Sequence, residues 1–272
     1  MASPYWIRSL INKTFSQRFF WAKLTNYPII GRIIDYALFD KDEILYLPKE
    51  RSIPVNVSLE QPDSLAAPSR VVEHFIKSAS TRWIMDFCIC RDSARCKDYP
   101  IDLGCIFLGE AAKGINPKFG HIASEQEALD HAERCREAGL VHMIGKNKLD
   151  SVWLNVSPSD RLMTICNCCP CCCLWKVLPV ISTEIGNKLS RMPGVSVHVT
   201  DRCTGCGTCT RDVCFVDAIR LENDHAVIDQ TACRGCGRCV DVCPNNAIEV
   251  VIEDDNFIER TIERLSDAVD VT

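Results

Sequence analysis

The sequence predicts an α+β protein, with a Cys-rich α/β N-terminal domain ahead of a smaller pseudo-twofold domain. Three observations carry this. Helical and strand periodicities mix between residues 70 and 190. Nineteen of the 272 residues are cysteine. The loop Cys203-Thr-Gly-Cys206-Gly-Thr-Cys209 returns as Cys233-Arg-Gly-Cys236-Gly-Arg-Cys239, and Ala218-Ile219 returns as Ala247-Ile248. Two copies at a period near thirty residues describe a pseudo-twofold unit and not a solenoid. The expected divisions are 1–55, a basic amphipathic segment; 56–192, the Cys-rich domain; 193–252, the repeated domain; and 253–272, an acidic helical tail.

Residues 1–32 carry Arg8, Lys13, Arg18, Lys23 and Arg32 and no acid. Trp6, Ile7, Leu10, Ile11, Phe15 and Phe19 recur at helical steps. Such a stripe usually packs on its own domain. The functional alternative is docking of residues 5–24 on an anionic membrane surface or an acidic partner. Residues 40–67 read as an extended connector with Pro48, Pro54, Pro62 and Pro68. Val71, Val72, Phe75 and Ile76 predict a short helix. Trp83, Met85, Phe87 and Ile89 then alternate with Ile84, Asp86, Cys88 and Cys90, a strand period that puts Cys88 and Cys90 on one face.

Ser124 and Glu127 form a capping-box pair ahead of a helix that carries Ala128, Leu129, Ala132 and Cys135 and stops at Gly139. Residues 151–157 and 161–166 read as strands. Residues 174–192 read as a helix with Leu174, Leu178, Ile181, Ile185 and Leu189 on one side, kinked or started at Pro179. After Glu249 the chain is acidic, and Phe257, Ile258, Ile262 and Leu265 mark a terminal helix with a solvated charged face.

Composition narrows the function. Apolar residues are 47% and charged residues 25%, a globular balance that excludes a disordered chain. No apolar run reaches the ~18 residues of a spanning helix, and no signal peptide opens the chain. The expectation is a cytoplasmic protein, or one peripheral to a membrane. Lys plus Arg (31) is below Asp plus Glu (36), so no nucleic-acid partner is expected. Dense cysteine in a non-exported chain points to metal ligation ahead of disulfides.

Each C-x2-C-x2-C loop gathers three thiolates that can cap three corners of an iron–sulfur cube, with a distant Cys for the fourth. Glycines between them let backbone N–H groups approach sulfur. On these motifs residues 200–252 resemble the bacterial-type ferredoxin that carries two [4Fe–4S] clusters. The resemblance implies one cluster on Cys203, Cys206, Cys209 and Cys243, and the other on Cys233, Cys236, Cys239 and Cys214. Cys243-Pro244 follows the family pattern. Four residues separate Cys209 from Cys214, and Phe215 replaces the usual proline.

Ten further cysteines are expected to bind metal: Cys88, Cys90, Cys96 and Cys105, then Cys166, Cys168, Cys169, Cys171, Cys172 and Cys173. Thiols this dense repel once ionised and oxidise when exposed, unless a metal holds them. Two cubanes, one larger cluster, or one cubane with a labile thiol pair all suit the count. Arg91 either faces a cluster sulfide or forms a surface ion pair. Cys135 reads as a buried small apolar residue, and His142 as a satisfied polar histidine. Cys135, Cys168-Cys169-Pro170 and Cys203-x2-Cys206 resemble the CCG motif of heterodisulfide reductase catalytic subunits, with Pro170 where that motif has glycine. Phe87 to Arg91, Gly104-Cys105, Glu127 to Leu129, Gly139 to His142 and Ile165 to Cys173 resemble a family of anaerobe ferredoxin-like 4Fe-4S binding proteins. That resemblance implies cluster binding and electron transfer.

No nucleotide or flavin fingerprint is present and no catalytic residue is assigned. The expected function is an electron-relay subunit of an anaerobic redox complex, with redox proteins as partners. It carries two [4Fe–4S] clusters in the ferredoxin domain and one or two more, of ordinary or atypical type, in the N-terminal domain. The alternatives are a reductase that uses an unusual N-terminal cluster on a disulfide or another difficult acceptor, and an iron–sulfur scaffold or delivery protein.

Overall fold

A computed structural model of the chain describes residues 2–49 and 68–272. Three helices open it: α1 (Trp6–Thr14), α2 (Arg18–Leu24) and α3 (Pro28–Leu38), the last with proline at its start, where no N–H is needed. Strand β1 (Glu43–Tyr46) follows, inside the stretch expected to be a connector. Pro54 and Pro62 lie outside the described residues. The chain continues through α4 (Ser69–Ser78), β2 (Arg82–Met85), α5 (Ile89–Ala94), β3 (Ile106–Leu108), β4 (Gly120–Ile122), α6 (Glu125–Glu137), β5 (Val141–Lys146), α7 (Lys148–Leu154) and β6 (Met163–Cys168). Then come α8 (Thr183–Gly186), β7 (Leu189–Arg191), β8 (Val195–Val199), β9 (Ile219–Glu222), β10 (His225–Ile228), α9 (Arg238–Asp241), β11 (Ile248–Ile252) and α10 (Phe257–Ala268).

Seven strands form one sheet in the order β4-β2-β3-β6-β5-β1-β7, antiparallel except for the β1–β7 pair. Strand alternation gives it two faces. Ile84, Ile106, Leu108, Ile144, Met163 and Ile165 face α4, α6 and α10, meeting Val71, Phe75, Ala128, Ala132 and Leu265. Burying one such aliphatic side chain stabilises by roughly 1.5–3 kcal/mol. The opposite face carries Met85, Cys105 and Phe107, with Tyr46, Met143 and Cys168 beside them. The sheet therefore separates an aliphatic core from a sulfur-rich layer. The repeated domain adds two antiparallel ribbons, β8 with β11 and β9 with β10. Val195, Val197, Ile248 and Val250 join the aliphatic core.

Several expectations need correction. Strand β2 stops at Met85, and Cys88 caps α5 instead of extending the strand; its carbonyl accepts from the Asp92 N–H at 2.9 Å. Trp83, Ile84, Met85, Phe87 and Cys88 are all buried, so their alternation marked no solvated face. Residues 148–154 are helix α7, where a strand over 151–157 was expected. Asp150 in its first turn accepts from Trp153 and Asn147, and Asn155 at φ 51° ends it, which overrides the strand preference of Val152 and Trp153. The expected helix 174–192 is a single turn at Leu174–Val177, then α8, then β7. Pro179 cannot donate the hydrogen bond that a continuous helix requires there.

The capping serine is present, with Ser124 Oγ accepting from the Glu127 N–H at 3.2 Å, but the Glu127 carboxylate turns to His121. In α10, Phe257, Ile258 and Leu265 are buried while the acidic side faces solvent. The α1 stripe divides. Phe15 is buried and Ile7 and Ile11 are half-buried, whereas Trp6 and Leu10 are exposed. Arg8 and Asn12 bind Asp92 at 2.8 and 2.9 Å, which seats α1 on α5.

Candidate metal centres

The eighteen cysteines expected to bind metal or clusters sort into separate groups in space. In the repeated domain Cys203, Cys206, Cys209 and Cys243 line one pocket with Gly207, Thr208, Pro244 and Ile248. Cys214, Cys233, Cys236 and Cys239 form the second group. Burial pushes the Cys239 thiol well up, with Cys236, Cys233 and Cys214 adding repulsion, and burial raises Cys233 to about 11. Cys214 occupies the place that Cys243 holds in the other half. Its sulfur accepts from the Ala218 N–H at 3.3 Å, and the Cys243 sulfur accepts from the Ala247 N–H at 3.2 Å. The extra residue before Cys214 is absorbed in the loop, and the repeated Ala-Ile pair sets both contacts. Further N–H groups reach sulfur from Ala226 to Cys203 and from Gly235 to Cys233, each at 3.4 Å. Gly205 takes φ +67°, and a Cβ there would lie 2.3 Å from the Asp224 carbonyl oxygen.

The ten N-terminal cysteines divide six and four. Cys88, Cys90, Cys105, Cys166, Cys168 and Cys173 line a chamber of about 210 Å³ between the sheet and α1, with Ile11, Phe15, Trp153 and Trp175 also in its wall. Cys166 and Cys168 are two apart on β6 and so share its inner face. Cys105 Sγ lies 3.6 Å from Cys166 Sγ, and Cys173 Sγ lies 3.4 Å from Cys168 Sγ. The other four, Cys96, Cys169, Cys171 and Cys172, bring all their sulfurs within 4.8 Å of one another. Cys169 also touches the chamber wall.

Buried cations serve the thiols. Arg91 is fully buried, so the surface ion pair does not exist. Its guanidinium donates to the Asn167 carbonyl at 2.6 Å and to the Leu103 carbonyl, while its Nε has no partner. Arg238, from the loop that carries Cys236 and Cys239, donates to the Cys168 carbonyl; its Nε is likewise without a partner. Hydrogen bonds from the Cys166 and Cys173 thiols hold Cys168 well below the usual thiol range, with Arg238 and Arg91 adding to the effect against burial. The neighbouring Cys90 thiol lowers Cys88 to about 7, and Arg91 helps. Six sulfur donors, orphaned buried N–H groups and an open volume fit an anionic metal–sulfide group in the chamber. The N–H···S contacts fit one in each ferredoxin loop.

Cys135 is fully buried and packs against Cys169 and Cys172 without its sulfur joining the convergent four; burial raises its thiol to about 12. His142 lies in β5 with Nδ1 2.8 Å from Asn167 Oδ1. The CCG-like set is not assembled, because Cys203 and Cys206 line the ferredoxin pocket while Cys135 packs near Cys169 and Cys172. Sequence reasoning passed over Arg238, which lies between Cys236 and Cys239, and Asn167, whose Nδ2 donates to the Gly104 carbonyl at 2.7 Å.

The 4Fe-4S binding domain family matches residues 226–249. A subunit of the Na(+)-translocating ferredoxin:NAD(+) oxidoreductase complex from Acetobacterium woodii is 46% identical over 72 residues, which is 24% of this chain and 21% of that protein. A subunit of the ion-translocating oxidoreductase complex from Methanosarcina acetivorans is 46% identical over 48 residues, which is 18% of each chain. The chain thus spans about a fifth of the length of either of these relatives. No solved structure matches. Ferredoxin-3 from Chlorobaculum tepidum is 38% identical over 60 residues, 20% of this chain but 95% of that protein. Since its C-terminal part spans nearly the whole of a ferredoxin and repeats that family's cysteine loops, the chain belongs to the 4Fe-4S ferredoxin family.

Proposed function

We propose that the chain is an electron-relay subunit in which the two ferredoxin sites pass charge to or from an additional iron–sulfur site in the six-thiol chamber. One observation carries this reading. The group of Cys214, Cys233 and Cys236 packs on the same buried cluster as Cys168 and Cys173, through Tyr46, Trp175, Phe215 and Ala218. The inner ferredoxin site and the chamber therefore share a dry wall. Clusters bound at these sites supply one-electron capacity. The ligand assignments are those of the resemblance: Cys203, Cys206, Cys209 and Cys243 for the outer site, Cys233, Cys236, Cys239 and Cys214 for the inner.

The protein's own part is positional and electrostatic. Ile11, Phe15, Trp153 and Trp175 give the chamber an apolar wall. Arg91 and Arg238 offset thiolate charge there and raise its potential. N–H groups directed at Cys203, Cys214, Cys233 and Cys243 do the same in the loops. Six thiols exceed the four that a cubane takes, which favours a terminal or atypical site in the chamber over plain wire. That count supports the reductase as second reading.

A docking surface completes the proposal. Trp6, Phe20, Trp21, Tyr27, Ile29, Ile33 and Tyr36 are all more than half exposed on α1, α2, α3 and their connections, with Lys13, Lys23 and Arg32 exposed beside them. Among the described residues no helix is long and apolar enough to cross a membrane. An apolar, aromatic and basic face of this kind suits the headgroup layer of an anionic bilayer. The ferredoxin part is similar to subunits of two ion-translocating oxidoreductase complexes, which supports a peripheral place in such a complex.

Iron and acid-labile sulfide analysis of the anaerobically purified full chain tests the reading. Paired Cys166→Ser and Cys168→Ser substitutions are expected to lower the iron count while about eight irons per chain remain in the ferredoxin loops. An unchanged count overturns the chamber site.

A further inference from the structure

The thiols of Cys96, Cys169, Cys171 and Cys172 are arranged differently from those of the ferredoxin loops. Cys96 Sγ lies 3.6 Å from Cys171 Sγ, and Cys172 Sγ lies 3.5 Å from Cys171 Sγ. All four sulfurs fall within 4.8 Å of one another, the one such convergence of metal-binding side chains among the described residues. Four thiolates around a single zinc ion at ~2.3 Å form a tetrahedron with edges of roughly 3.8 Å. A cubane gives each thiolate its own iron and spreads the sulfurs to roughly 6 Å. The ferredoxin sulfurs do not converge in this way: their contacts are with backbone N–H groups and Thr208.

The surroundings also differ. The four thiols sit at the edge of a small apolar cluster of Leu103, Cys135 and Leu140, with Tyr99 and Ala138 against it. Cys169 and Cys172 are buried and Cys96 and Cys171 half-buried. Cys96 follows α5, and the other three follow β6. A single ion would therefore tie together the two loops that deliver the chamber cysteines, Cys88 and Cys90 on one side and Cys166, Cys168 and Cys173 on the other. The Cys172 N–H already donates to Cys169 Sγ at 3.3 Å, which orients one donor inward. The buried Arg91 guanidinium lies near Cys169 and offsets part of the charge that four thiolates bring.

We propose that Cys96, Cys169, Cys171 and Cys172 bind one zinc ion in a closed tetrathiolate site that is structural and lies outside the electron path. The proposal deepens the reading of the N-terminal domain but is tested by a separate metal. The full chain, produced in iron-replete medium and purified anaerobically, is expected to hold one zinc per chain alongside its iron. X-ray absorption at the zinc edge should give four sulfur neighbours at ~2.3 Å. Cys96→Ser and Cys171→Ser should each lose zinc with the iron count unchanged. A wild-type chain without zinc overturns the proposal, as does loss of iron in place of zinc from either variant. A mixed nitrogen–sulfur or oxygen–sulfur shell at the zinc edge also overturns it, and that measurement needs no variant. A chain that holds this zinc with only about eight irons supports the zinc site and counts against the relay reading instead.

Discussion

The Arg238 guanidinium donates to the backbone carbonyl of Cys168, and so a side chain from a ferredoxin loop holds the strand that lines the thiol chamber. Arg238 is buried, lies over the Phe215 ring and is followed at once by Cys239. Replacing it by alanine removes a positive charge from between two thiolate groups and strands a buried carbonyl. Arg238→Ala should lower the potential of the inner ferredoxin site by some tens of millivolts, since local charge and hydrogen bonding set such potentials. Arg238→Lys should restore most of that shift. Potentiometric titration followed by EPR measures both.

Cys214 and Cys135 should part company on substitution. Cys214 shares the N–H···S contact of Cys243, whereas Cys135 packs beside Cys169 and Cys172 without being one of the four converging sulfurs. Cys214→Ser should cost up to about four irons per chain, by the four-cysteine rule for a cubane. Cys135→Ala should leave iron unchanged and cost only about 1 kcal/mol of stability, as for other small core truncations. Metal analysis and thermal denaturation separate the two.

The exposed face of α1 to α3 predicts a lipid preference. The chain should sediment with vesicles that contain anionic lipid and stay free of zwitterionic ones. Adding salt should weaken the association, because the basic residues act through screened charge. Trp21→Ser and Ile33→Ser together should weaken binding by roughly tenfold or more, as expected when two inserted apolar side chains are lost. Equal binding to both vesicle types would remove the surface from the account.

Asp42 supplies a pH dependence. It is buried, accepts from the Lys148 N–H at 2.7 Å, and its other oxygen has no partner. Burial raises its carboxyl to about 7, against the Lys148 N–H that lowers it, and Asp150 adds repulsion. The folded state thus keeps the proton that the unfolded chain releases near pH ~4. The group's contribution is fully present below the unfolded value and is lost as pH rises towards the folded one. The slope is at most about 1.4 kcal/mol per pH unit. Asp42→Asn mimics the protonated form and should flatten stability between about pH 5 and 7 in denaturant titrations.

The sequence spoke clearly where the chemistry is local. The repeated glycine-spaced loops announced both ferredoxin groups, and the Ser124 cap, the α4 stripe and the apolar side of α10 lie where their patterns put them. It misled where burial is two-sided. Trp83 to Cys90 alternates without a solvated face, so Cys88 and Cys90 read as strand residues when they sit at the start of α5. Val152 and Trp153 favour a strand, yet Asp150 and Asn155 frame a helix. The division of the ten N-terminal cysteines into six and four was not legible, because it depends on which loops the long-range β3–β6 and β5–β6 pairings bring together. Arg238 was hidden for the same reason: nothing near it in sequence indicates Cys168, seventy residues earlier.

The most direct test of the account is low-temperature EPR on the full chain, purified without oxygen and reduced stepwise, with iron counted in the same sample. Two interacting ferredoxin signals and a third, distinct signal lost on substitution of Cys166 and Cys168 are the expected result, with more than about eight irons per chain. A colourless, EPR-silent chain with its thiols in disulfides, or a spectrum fully explained by the ferredoxin pair, would contradict it.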